Sequence, residues 1–116
     1  RHYSPIPDEL VQRISVNLEP LLQKYGTICF WGINSYFYGF CEKFQVDKTK
    51  LRIVDKSEIR HGMDVYGIEV QPTEIITEQN IECVIVAVPQ YFSNLAPMIK
   101  IEFPHVQQVI NILDLI

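Results

Sequence analysis

The sequence has no apolar run near the roughly 20 residues that a membrane-spanning helix needs, and no basic-then-apolar leader at its start. A cytoplasmic protein with no membrane partner is the expectation. Basic residues are also in short supply, with 10 Lys and Arg against 14 Asp and Glu, a formal charge of −4 and a pI near 5.3. The cations are scattered, so no basic stripe follows a phosphate backbone and nucleic acid is excluded as an expected partner. Cysteines number only three. Cys29 and Cys83 fall in apolar, strand-like runs and Cys41 lies among aromatics, a usage that reads as small apolar side chains in a reducing compartment. The three histidines, His2, His61 and His105, are far apart in sequence, and no metal site is expected. No Gly-x-Ser-x-Gly elbow, Walker loop or Cys–His signature supports a hydrolase or a nucleoside triphosphatase. An initiating methionine is missing too, which leads us to expect a segment of a longer protein.

What is present fits one domain. The 116 residues are 47% hydrophobic and 21% charged, enough for a single core. The organising stretch runs from Thr27 to Phe37. Its apolar residues break at Gly32 and pass through Asn34 and Ser35 into an aromatic pattern of helical period, which predicts strand, tight turn and helix. Before it, Leu10, Val11, Ile14, Leu18, Leu21 and Leu22 recur at helical spacing after Pro7-Asp8, with Gly26 as a stop. Pro20 predicts a kink or two helical pieces there. After it, a helix is expected over about residues 35–44, with Phe37, Phe40, Cys41 and Phe44 on its apolar face. A second strand, Leu51 to Asp55, then ends in a carboxylate.

Ile68 to Val70 offers a short third strand, reached through a span too short for a confident crossover helix. Pro72 opens a short helix over about 73–78. Cys83 to Val88 is apolar throughout, as in a strand covered on both faces. Leu95, Met98, Ile99 and Phe103 mark a helix over about 91–102, ended by Pro104, and Val106 to Ile112 gives a last strand. Alternating strands and helices predict a mostly parallel five-stranded sheet in the order three-two-one-four-five, with the first and fourth strands adjacent at its centre.

Ligands of such sheets bind at the carboxyl ends of the strands, so the turn after the first strand is where function is sought. The dinucleotide fingerprint G-x-G-x-x-G reads here Gly32-Ile33-Asn34-Ser35-Tyr36-Phe37. A side chain at the second glycine position keeps the backbone off a pyrophosphate, and a ring at the third pushes helix from strand. Tight NAD or FAD binding is therefore not expected, and no cofactor is assigned. Asn34 and Ser35 can serve an anion at a helix N-terminus or simply cap the helix. Asp55 stands where a ribose carboxylate would, or caps the loop that follows it. Gly32, Asn34, Ser35, Asp55 and Gln90 are the candidate binding residues, and no catalytic residue is assigned.

The Trp31-Gly32-Ile33-Asn34 turn, Asp55 followed by Arg60-His61-Gly62, the strand after Gly67 and the strand ending at Pro89 resemble the Rossmann-like C-terminal domain of bacterial sugar C-methyltransferases. More broadly, they resemble Rossmann-like domains of sugar-nucleotide-modifying enzymes. Residues 1–26 correspond to a linker helix and 27–116 to the Rossmann-like domain, an α/β three-layer fold. The resemblance implies a substrate-side module in surface polysaccharide synthesis, holding an activated sugar beside other domains of its parent protein. Because the methyl-donor domain of that family is not in this chain, the chain alone is not expected to catalyse methyl transfer. The alternatives are a non-catalytic structural or interaction domain, and a fragment of an NAD(P)-dependent epimerase or oxidoreductase.

Overall fold

The computed structural model describes residues 7–33 and 46–116. The helix expected over 35–44, with Cys41 and its aromatics, lies outside the described residues, as do Asn34 and Ser35.

Among the described residues, six strands form the sheet: β1 (Ile28–Trp31), β2 (Leu51–Val54), β3 (Asp64–Val65), β4 (Ile68–Gln71), β5 (Cys83–Val86) and β6 (Gln108–Asn111). Their order is β3-β4-β2-β1-β5-β6. The pairs β4–β2, β2–β1, β1–β5 and β5–β6 are all parallel. This is the expected three-two-one-four-five sheet, with β1 and β5 side by side in its interior. The sixth strand is the correction. β3 pairs antiparallel with β4 through a two-residue turn at Tyr66 and Gly67, both at positive φ (48° and 88°). Positive φ at both central residues is the geometry of a type I′ hairpin, whose twist matches the strands it joins.

Burial explains why β1 and β5 are internal. Every residue of both strands is buried, and alternate side chains supply two separate cores, one on each face of the sheet. Ile28, Phe30, Cys83 and Ile85 point to one face, where they meet Ile14, Leu18 and Leu22 of helix α1 (Asp8–Tyr25). Cys29, Trp31, Val84 and Val86 point to the other. There they meet Ile75 and Ile76 of α2 (Ile75–Glu78) and Ile99 of α3 (Phe92–Glu102). The result is three layers. Ring contact adds to the second face, where Phe103 sits edge-on to Trp31 at 6.2 Å between ring centroids.

Helix α1 is one segment, not two. Pro20 lies within it on the exposed side, and Val16, whose carbonyl lacks the amide donor four residues on, is itself exposed. Water can take that bond, so the proline costs the helix little of its continuity. Gly26 ends α1 at φ 75°, its N–H donating to the Leu22 carbonyl at 2.8 Å. Between β2 and β4 there is no α-helix, only a 3₁₀ turn at Glu58–Arg60 and the short strand β3. Among the described residues, no helix is long and apolar enough to cross a membrane.

Candidate functional site

The carboxyl ends of β1, β2 and β5 open into a crevice of about 590 Å³. Three of the five residues singled out in the sequence line it together: Gly32 after β1, Asp55 after β2 and Gln90 after β5. Parallel strands explain the convergence, since each strand delivers its C-terminal residue to the same edge. Asn34 and Ser35 lie outside the described residues.

Gly32 is held firmly. Its N–H donates to the Val54 carbonyl at 2.9 Å, and the Ala87 N–H donates to the Trp31 carbonyl at 2.9 Å, so the ladder continues past the strand ends on both sides. Its φ of 83° is left-handed, which favours glycine. The space a side chain would take is filled: a Cβ at Gly32 would stand 3.0 Å from Val88 Cγ1. This glycine therefore lets the chain turn against Val88, a packing duty as well as a turn duty.

Asp55 organises the loop that follows it. One carboxylate oxygen accepts from the Ser57 N–H at 2.8 Å. The other faces the Arg60 guanidinium at 3.8 Å, too far for a hydrogen bond. The His61 ring donates from Nε2 to the Asp55 carbonyl at 2.7 Å, an assignment fixed because a carbonyl can only accept. Asp55 is thus a loop cap, with its Arg60-facing oxygen left for other partners at the rim.

The remaining lining comes from residues the sequence reading did not single out for binding. Lys56, Ser57 and Arg60 line the β2 side, while Tyr91, Leu95 and Met98 line the α3 side. A sequence signal existed for the latter: Tyr91, Asn94, Leu95 and Met98 recur at helical spacing and line the crevice from α3 and the 3₁₀ turn just before it.

A second, larger cleft of about 730 Å³ adjoins the first and shares Asp55 and Lys56 with it. Its rim carries the carboxylates of Glu58, Glu74, Glu78 and Glu102. Lys56 reaches Glu102 at 3.2 Å, with both side chains about half exposed (54% and 41%), and this pair spans the boundary between the two openings.

No thiol nucleophile is available among the described residues. Cys29 and Cys83 are free and buried. Burial pushes the Cys29 thiol far above its ordinary value, and burial pushes Cys83 up to about 12. Among the described residues, no group of three or more His, Cys, Asp or Glu is placed to hold a metal ion.

Neither a protein-family model nor a curated protein matches this sequence. Among solved structures, the chain is similar to UDP-D-quinovosamine 4-dehydrogenase from Vibrio fischeri, with 17% sequence identity and a TM-score of 0.50, over 73% of this chain and 75% of that one. At that identity the likeness shows the fold: this chain has a Rossmann-like architecture.

Proposed function

We propose that the chain is a nucleotide-sugar-binding module of a carbohydrate-modifying protein, and that the crevice over Gly32, Asp55 and Gln90 is its binding site. The observation that carries this reading is the crevice itself: an opening of nucleotide size, at the carboxyl edge of a Rossmann-like sheet, with polar groups on one wall and apolar side chains on the other. The neighbour in Vibrio fischeri, a UDP-sugar dehydrogenase by name, supports a sugar nucleotide over other nucleotides. Residues 27–116 form the module in this reading, 1–26 lead into it, and the parent protein works in the cytoplasm.

The finer assignment, to the substrate side of a methyltransferase-like enzyme, rests on the resemblance of Trp31 to Asn34 and of Asp55 to Gly62 to sugar C-methyltransferases. The chain supplies binding, and its partner domains supply the reaction.

Titration of the 15N-labelled chain with UDP-glucose tests the reading. Shifts are expected at Gly32, Asp55 and Gln90, and they should be lost in Asp55→Ala. No response to nucleotide sugars, or shifts confined to another face, would leave a structural or interaction domain as the better description. That second reading has its own observation, since Val88 fills the space beside Gly32 and the Ser57 N–H engages Asp55.

A further inference from the structure

We propose that the crevice holds the anionic part of its ligand on the β2 side, between Arg60, Lys56 and the Ser57 hydroxyl, with the base along Tyr91, Leu95 and Met98. This rests on the reading of the crevice as a nucleotide-sugar site and assigns the orientation of the ligand within it.

Charge decides the polarity. The protein carries a net −4, yet the described lining of the crevice has two cations, Lys56 and Arg60, against the single carboxylate of Asp55. The adjoining cleft has the opposite balance, with five carboxylates against Lys56, and would repel a phosphate. Both crevice cations come from the segment just after β2. The described wall from β5 and α3, including Val88, Gln90, Tyr91, Leu95 and Met98, brings no charge.

Two donors on the β2 side make no side-chain hydrogen bond among the described residues, and the third is held by one exposed pair. Arg60 is half exposed, and its 3.8 Å approach to Asp55 leaves its guanidinium without a hydrogen bond among the described residues. Ser57 opens the 3₁₀ turn without a capping bond from its side chain. Lys56 is held only by an exposed pair to Glu102 at 3.2 Å, and such pairs exchange partners at little cost. A planar guanidinium, an ammonium and a hydroxyl, all within one short segment, suit the several oxygens of a phosphate or diphosphate. At Gly32 the backbone is backed by Val88, 3.0 Å from where a Cβ would stand. On the opposite wall, half-exposed Tyr91 and partly buried Leu95 and Met98 offer a ring and two flexible apolar chains to a planar base.

The test compares uridine, UMP and UDP-glucose on the full 116-residue chain by calorimetry, with thermal melts as a folding control. UMP is expected to bind at least about tenfold more tightly than uridine, because its phosphate gains charge-assisted hydrogen bonds. Arg60→Gln should bring UMP to within about threefold of uridine, and Lys56→Gln should remove part of the same advantage, with uridine binding unchanged in both. Both positions are exposed, so the variants should melt as the parent does. If UDP-glucose binds but UMP keeps its full advantage in both variants, the orientation is overturned and the nucleotide-sugar reading stands. Equal binding of UMP and uridine by the unaltered chain overturns the orientation as well. If none of the three binds, the reading of the site falls and the orientation with it.

Discussion

Val88 Cγ1 stands 3.0 Å from the position a Cβ would occupy on Gly32, whose φ is 83°. The turn after β1 is therefore specified twice, by backbone conformation and by the side chain opposite. Gly32→Ala should lower stability by about 1–3 kcal/mol, part from the left-handed backbone and part from crowding. Adding Val88→Ala should relieve only the crowding part, so denaturant melts of the two single variants and the double variant should show non-additivity. Additive losses would mean that Val88 does not constrain the turn.

The buried thiols make stability fall at alkaline pH. Burial pushes Cys83 from a thiol's ordinary 9.0 up to about 12, and pushes Cys29 up further. An acid whose pKa is raised on folding binds more protons folded than unfolded above the unfolded value, so unfolding becomes easier as pH rises. The contribution is fully present below about pH 9 and is lost progressively as pH rises through the folded value of about 12. Each thiol adds a slope of up to about 1.4 kcal/mol per pH unit. Melts of Cys83→Ala against the parent between pH 8 and 10.5 should show a shallower loss in the variant (about 1 unit or more of that range lies above the unfolded value). A thiol reagent should label neither Cys29 nor Cys83 until the chain unfolds.

The β3–β4 hairpin turns on Gly67, with φ 88° and the Asp64 carboxylate accepting its N–H at 3.2 Å. Gly67→Ala should cost about 1–2 kcal/mol through the left-handed conformation alone. Hydrogen exchange should locate the damage, with protection lost at β3 and β4 before β1 and β5.

Dinucleotide cofactors should bind weakly. Asn34 and Phe37 stand where the fingerprint has glycines, and Val88 backs the first glycine. Calorimetry with NAD or FAD should give dissociation constants weaker than about 10 μM, near −7 kcal/mol.

The central strands were legible in the sequence because burial on both faces leaves an unbroken apolar run, and Thr27 to Trp31 and Cys83 to Val88 are such runs. β3 was hidden for the opposite reason: two residues, one of them Asp64, cannot display a period of two. Pro20 does not divide α1 because the rule against proline in a helix weakens where the orphaned carbonyl can reach water. Gly32, Asp55 and Gln90 stand out in the sequence by their places after strands, and the parallel topology brings them to one edge. Arg60, Lys56 and Ser57 do not, because their meeting depends on a 3₁₀ turn whose shape is set by the Asp55 carboxylate and the His61 ring.

A crystal structure of the chain grown with millimolar UDP-glucose tests the central claim most directly. The account predicts the nucleotide in the crevice at the carboxyl ends of β1, β2 and β5, its diphosphate within hydrogen-bond reach of Arg60 or Lys56 and its base against Tyr91, Leu95 and Met98. A nucleotide bound on any other face, or a crevice left empty at saturating ligand, would contradict it.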